Sequence, residues 1–232
     1  MQTSKFLGEF LGTLVLIYLG NGVVANVLLK QTKGENAGLV AITAGWAFAV
    51  TMGIFVSKAF GSNAAHLNPA VTVAMAISSN DYSNVVPFIS AQMLGSFLGA
   101  VLVWLHYHPH WSKTEDSSAK LACFCTGPAI SDPKFNVLSE VLATVILLVG
   151  IKGIGVVSTG LGPFAVGILV WAIGLSLGGT TGYAINPARD LAPRIAYALL
   201  PIAGKGSSDW GYAWIPVAGP IIAAVIAGVF LL

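Results

Sequence analysis

The tripeptide Asn-Pro-Ala stands twice in this chain, at Asn68-Pro69-Ala70 and Asn186-Pro187-Ala188, and each copy interrupts an otherwise apolar sequence. Asn is a strong helix N-cap, because its side-chain oxygen accepts from an orphan backbone N–H. Pro suits the first helical position, where its missing N–H costs nothing. Asn-Pro therefore reads as a helix start. Each copy follows two long hydrophobic stretches, precedes another, and opens a stretch too short to cross a bilayer. The pattern predicts two half-helices that enter a membrane and stop part-way.

The composition requires a membrane. Of 232 residues, 56% are hydrophobic and 9% charged, against roughly a quarter charged in soluble domains. No Asp, Glu, Lys or Arg lies between Glu35 and Lys58, Asp81 and Lys113, Lys152 and Arg189, or after Asp209. A spanning helix needs about 20 apolar residues, so these gaps hold most of the spans. The net charge of +2 gives no reason to expect nucleic acid as a partner. The first apolar stretch carries Glu9, Asn21 and Asn26 and no small-residue cleavage pattern, which reads as a retained helix. Cys123 and Cys125 are too close for a loop-closing disulfide and match no zinc spacing, so they read as ordinary loop thiols. The run His106-Tyr107-His108-Pro109-His110-Trp111 reads as an interfacial aromatic belt before it reads as a metal site. No nucleophile elbow, phosphate loop or catalytic carboxylate pair is present, and neither an enzyme, a cofactor nor a bound metal is expected.

The expected fold is all-α, with six transmembrane helices at Phe6–Leu29, Ala37–Ser57, Val85–Tyr107, Phe135–Val156, Pro163–Gly179 and Trp210–Leu232. Half-helices are expected over Asn68–Ile77 and Asn186–Leu200, each reached by an extended, Gly-, Ser- and Thr-rich segment, 60–67 and 179–185. Residues 1–232 read as one transmembrane domain, made of repeats over 1–107 and 135–232 joined by a polar loop over 108–134. Gly8-Glu9-Phe10-Leu11-Gly12-Thr13 in the first repeat answers Ser139-Glu140-Val141-Leu142-Ala143-Thr144 in the second, each with Glu and Thr four apart. Three spans per repeat is an odd number, so the second repeat lies inverted and the half-helices meet near the midplane. Small residues four apart, such as Ala91, Gly95 and Gly99, predict close helix packing. Taken alone, the lysine distribution places the amino terminus outside.

These residues resemble the major intrinsic protein family, the aquaporins and glycerol facilitators. The resemblance covers nearly the whole chain and rests on Glu9, the run His66-Leu67-Asn68-Pro69-Ala70-Val71-Thr72, Glu140, and the run from Thr181 to Asp190. It implies a homotetramer with one pore per subunit, in the plasma (cytoplasmic) membrane, with both termini cytoplasmic. It implies a narrowest constriction at Trp46, Gly174, Tyr183 and Arg189. Gly174 replaces the His of water-selective relatives and is expected to widen the opening, which is the glycerol-channel pattern. Tyr183 stands where glycerol facilitators commonly carry Phe, and its hydroxyl is expected to narrow or polarise the filter. Tyr107, Asp190, Arg194, Pro216 and Val217 also stand where glycerol-conducting members resemble one another.

The physics of such a pore stands beside the resemblance. Two half-helix N-termini carry about half a positive charge each and aim it into the lumen, which disfavours cations and a protonated water chain. The amides of Asn68 and Asn186 can donate to a permeant hydroxyl. Ala64, Ala65, His66, Leu67, Ala184 and Ile185 are expected to line the pore, with backbone carbonyls as acceptors. Glu9 and Glu140 are expected to hold those segments as buried acceptors, and Asp190 to brace the loop around Arg189. The leading expectation is a passive channel for glycerol and other small neutral solutes that also passes water and excludes protons and ions. Alternatives are a channel preferring water or protonated small acids such as lactic acid, a secondary transporter coupled through Glu9 or Glu140, and a membrane scaffold.

Overall fold

A computed structural model of the chain describes residues 4–157 and 160–232, and the described residues are helical with connecting turns. Four helices fill the first half: α1 (Lys5–Leu28), α2 (Gly38–Ala59), the half-helix α3 (Pro69–Ser79) and α4 (Val85–His106). Two short helices follow, α5 (His108–Trp111) and α6 (Ser117–Ala122). The second half holds α7 (Pro133–Val157), α8 (Gly162–Leu177), the half-helix α9 (Pro187–Leu199) and α10 (Ile215–Phe230). Both Asn-Pro signals open helices as the capping argument requires. The Asn68 side chain accepts from Ala70 N, and that of Asn186 from Ala188 N and Arg189 N, with Pro next in each case.

Among the described residues four helices, α1, α2, α4 and α7, are long and apolar enough to cross a bilayer. The other two expected spans are shorter. Helices α8 and α10 have 16 residues each, about 24 Å at 1.5 Å per residue, against a hydrocarbon core of about 30 Å. The span expected from Trp210 starts five residues later because Pro216 takes an opening position of α10 and residues 210–214 form turns. The loop over 108–134 is also more structured than its polarity suggested. It folds α5 and α6 and buries Trp111, Cys123, Phe124 and Cys125.

The halves interlock. Helix α1 packs on α2 and α4, α7 packs on α8 and α10, and α2 meets α8 across the halves. Each half-helix is held by the opposite half, α3 against α10 and α9 against α4. Small residues make this approach possible: a Cβ on Gly95 would collide with the Phe10 carbonyl, and one on Gly219 would stand 2.7 Å from Glu140 Cβ. Both chain ends lie on one face. Lys5 shares a cavity wall with Asp81, Gly228 near the end of α10 packs on Ile77 near the end of α3, and Lys152 Nζ donates to the Leu232 carbonyl at 2.5 Å.

Candidate permeation pore

The two segments leading to the half-helices share one backbone device. Ala65 and Leu67 in the first, and Tyr183 and Ile185 in the second, have φ of 45°, 53°, 40° and 44°. A non-glycine residue in this left-handed region costs of order 1 kcal/mol and persists only where its surroundings impose it. Two buried carboxylates impose it. Glu9 accepts from Ser62 Oγ and His66 N on one oxygen, and from Leu67 N and Gln92 Nε2 on the other, all at 2.7–2.9 Å. Glu140 accepts from Thr181 Oγ1 and Ala184 N on one oxygen and from Ile185 N on the other. The Thr four residues after each Glu explains the repeated spacing: Thr13 and Thr144 each donate to their Glu carbonyl at 2.7 Å.

The half-helices meet through their caps. Asn68 Nδ2 donates to the Ile185 carbonyl at 2.7 Å, and Asn186 Nδ2 to the Leu67 carbonyl at 2.8 Å. One N–H of each amide is engaged across the junction, and an amide has two, so each retains a donor. Both Asn side chains line a cavity of about 400 Å³ that runs from Arg189 and Trp46 to Lys58 and Gly162. Ala64, Ala65, His66, Leu67, Tyr183, Ala184 and Ile185 form its polar wall, and Leu16, Val50, Ile54, Val71, Leu147 and Val170 its apolar wall. Among the described residues, the carbonyls of 64–66 and 183–184 accept no hydrogen bond from the protein. Those carbonyls are acceptors available to whatever occupies the cavity. Pro69, Ala70, Pro187 and Ala188 do not line it; they are buried behind the Asn pair, and the Ala188 carbonyl accepts from Ser96 Oγ at 2.6 Å.

Arg189, 8% exposed, projects at one end of the cavity. Its guanidinium lies 4.1 Å from the Trp46 ring centroid, and Nη1 donates to the Phe124 carbonyl at 3.3 Å. That carbonyl is delivered by the 124–126 loop, which Asp190 holds: its Oδ2 accepts from Thr126 N and Thr126 Oγ1, both at 2.7 Å. Asp190 Oδ1 pairs with the fully buried Arg194 at 2.9 Å, and Arg194 Nη2 donates to the Thr126 carbonyl. Asp190 thus braces the loop behind Arg189, and Arg194 is the outer half of that brace. Tyr107 instead caps α4, with its ring near His106 and His110, away from the cavity.

Gly174 differs from expectation. It does not line the cavity, because the Tyr183 ring covers it. A Cβ on Gly174 would meet Tyr183 Cζ at 2.9 Å and its hydroxyl at 3.0 Å, and a Cβ on Gly178 would strike the same ring. The missing side chain makes room for tyrosine rather than for a wider lumen. The hydroxyl is buried against α8 and the Thr43 methyl, without a hydrogen-bond partner, so it does not polarise the lumen as the sequence suggested. Trp46 has a similar seat: its six-membered ring lies where a Cβ on Gly20 would be. Sequence reasoning missed Gly20, although it continues the Gly8 and Gly12 face of α1. It also missed Phe124, whose part is played by a main-chain oxygen and leaves no side-chain signature.

The remaining sequence candidates separate from the pore. His106 Nδ1 bonds the Tyr18 hydroxyl at 2.8 Å, His110 Nδ1 bonds the Lys30 carbonyl at 3.0 Å, and His108 packs edge-on to Trp104. Among the described residues no cluster of His, Cys, Asp and Glu suits a metal. Cys123 and Cys125 are buried beside Trp111 and Phe124 rather than lying free in a loop, and burial pushes both thiols well above the ordinary thiol range.

Inverted halves, crossed half-helices and a lined passage between them define a membrane channel, not an enzyme. The chain belongs to the family described as Major intrinsic protein, which residues 1–231 match. It is 54% identical over 226 residues to a probable glycerol uptake facilitator protein of Thermotoga maritima, covering 96% of each chain. It is also 54% identical over 225 residues to glycerol uptake facilitator protein 3 of Lactiplantibacillus plantarum, covering 96% of this chain and 93% of that one. Among solved structures it resembles the aquaglyceroporin from Plasmodium falciparum, with a TM-score of 0.83 and 31% identity over 97% of this chain and 93% of that one.

Proposed function

We propose that the chain is a passive channel for glycerol and other small neutral solutes, that it also passes water, and that it excludes protons and ions. The observation that carries this reading is the constriction at Arg189. A guanidinium over the Trp46 face, beside the free carbonyls of Tyr183 and Ala184, sets hydroxyl donors and acceptors against an aromatic plane. A polyol presents the matching pair, hydroxyls on one edge and C–H on the other. The relatives named as glycerol uptake facilitators support the same substrate. Acid preference loses the support of the Tyr183 hydroxyl, which is turned into the wall. Proton exclusion follows from the fixed Arg189 charge and the two half-helix N-termini, poorly screened in a narrow low-dielectric passage.

The working assembly is a homotetramer in the plasma membrane, with both termini cytoplasmic and lipid against the outer apolar faces. The lysine distribution taken alone opposes that orientation, and membership of the family outweighs it. Lys30 is paired with Glu35, Lys120 is buried on the Ala203 and Gly204 carbonyls, and Lys205 caps the carbonyl end of α9 at Tyr197, Ala198 and Leu200. Three of the six lysines on the face opposite the termini are thus held by the protein, as is Lys152 on the termini's own face, so these contacts do not reverse the count. Swelling of protein-containing vesicles in glycerol, lactic acid and sucrose tests the solute reading. The expected order is rapid swelling in glycerol, slower in lactic acid and none in sucrose; equal rates with protein-free vesicles in glycerol would overturn it.

A further inference from the structure

A second cavity, of about 270 Å³, lies beside the pore on the face that carries the chain ends. It shares Ala64, His66 and Met75 with the pore, so the two spaces have a common wall. Its origin is visible in the repeat. Superposing the two Asn-Pro-Ala runs puts Thr72 opposite Asp190 and Ala76 opposite Arg194. In the second half the Arg194 guanidinium fills the space between α9 and the turn before α10, bonded to Asp190 and to the Ser208, Asp209 and Thr126 carbonyls. In the first half Ala76 supplies no such group. The space between α3 and the turn before α4 stays open, walled by Thr72, Ala76, Asp81 and Asn84.

We propose that this cavity is a side site for a small neutral polyol, an antechamber to the pore at the mouth that His66 borders. The proposal rests on the glycerol reading above and deepens it. The lining chemistry selects the ligand class. Lys5 and Asp81 contribute one charge of each sign, so the lining carries no net charge to concentrate ions of either sign. The other polar groups that reach the cavity are uncharged, the Ser79 hydroxyl and the Asn63 and Asn84 amides; the buried Ser62 and Thr72 hydroxyls behind them are bonded to Glu9 and to the Asn68 carbonyl. The Asn63 amide makes no hydrogen bond among the described residues and is exposed to the cavity. Phe88 and Val85 form an apolar floor opposite. Hydroxyl-bonding groups over an apolar floor repeat the arrangement of the pore itself. Solute held here enters the pore past His66 without first returning to bulk water.

Cysteine protection tests the site without relying on flux. Cys123 and Cys125 are 0% and 2% exposed and give a silent background. Ala76→Cys and Ser79→Cys place a thiol in the cavity and at its rim. Each is reacted with 2-aminoethyl methanethiosulfonate in vesicles, with glycerol or with sucrose at equal osmolality. Glycerol at twice its dissociation constant leaves a third of the sites free and should slow labelling about threefold, whereas sucrose should leave it unchanged. Adding Ala76→Leu to Ser79→Cys fills the cavity and should abolish the glycerol effect while glycerol flux persists. No protection, protection equal to that by sucrose, protection that survives Ala76→Leu, or failure of both thiols to react would each overturn the proposal. Glycerol flux in the same vesicles separates this failure from failure of the channel reading: flux without protection sinks the side site alone.

Discussion

At Tyr183 the side chain is legible in the sequence and its direction is not. The resemblance places it at the constriction, and it lines the cavity, but the left-handed backbone at φ 40° and the bare Gly174 and Gly178 surface turn its ring onto α8. A single-sequence reading assigns Gly174 and Tyr183 independently; only their contact shows that one accommodates the other. Two outcomes follow. Tyr183→Phe removes a buried hydroxyl without a partner, so it should leave solute ranking unchanged and raise stability by about 1 kcal/mol, read from detergent thermal unfolding. Gly174→His forces a side chain into the Tyr183 ring, so alone it should lower folded yield, and Tyr183→Ala should restore yield while glycerol flux falls more than water flux. A well-folded Gly174→His single variant with unchanged flux would show that the ring does not occupy that space. Arg189 is the other residue whose charge bears on the account. Arg189→Val leaves both half-helix N-termini in place, so the variant should still pass water, discriminate solutes less and leak protons under an imposed voltage. Wild-type proton tightness in a normally assembled variant would place the barrier elsewhere.

The elements were legible where one strong local signal fixes them. Asn68 and Asn186 cap the half-helices, with α3 and α9 beginning at the Pro that follows each. The start of α10 was not legible, because hydropathy continues through Trp210–Trp214 while the backbone turns there. The hold on the two half-helix segments also escaped in part: the Glu were readable from the repeat, but Gln92, the fourth donor to Glu9, comes from a distant helix. This asymmetry carries a prediction. Glu9 has four donors and Glu140 three, so an amide at position 9 turns its NH₂ against more donors. Glu9→Gln and Glu140→Gln should both lower tetramer yield, by about 3 kcal/mol of stability where a buried donor set loses its charge, with Glu9→Gln the worse. Normal yield from Glu9→Gln would remove Glu9 as the holder of the strained Ala65 and Leu67 backbone.

Across the whole molecule the two halves are built alike and finished differently. The second half places charge at its brace, Asp190 and Arg194, and sets Arg189 at the mouth; the corresponding first-half positions are Thr72, Ala76 and Val71. One end of the pore is therefore lined by the braced Arg189 against Trp46, and the other by Lys58, with the side cavity and its Lys5 and Asp81 next to it. The chain's fully buried carboxylates, Glu9, Glu140 and Asp190, are each engaged by donors of the protein, so none of the three stands unpaired to receive a coupling ion. Passive conduction is the central claim, and the distribution of labelled glycerol across sealed vesicles under an imposed sodium or proton gradient tests it most directly. A passive channel gives rapid entry that stops at equal inside and outside concentrations with or without the gradient; accumulation above the outside concentration would contradict it.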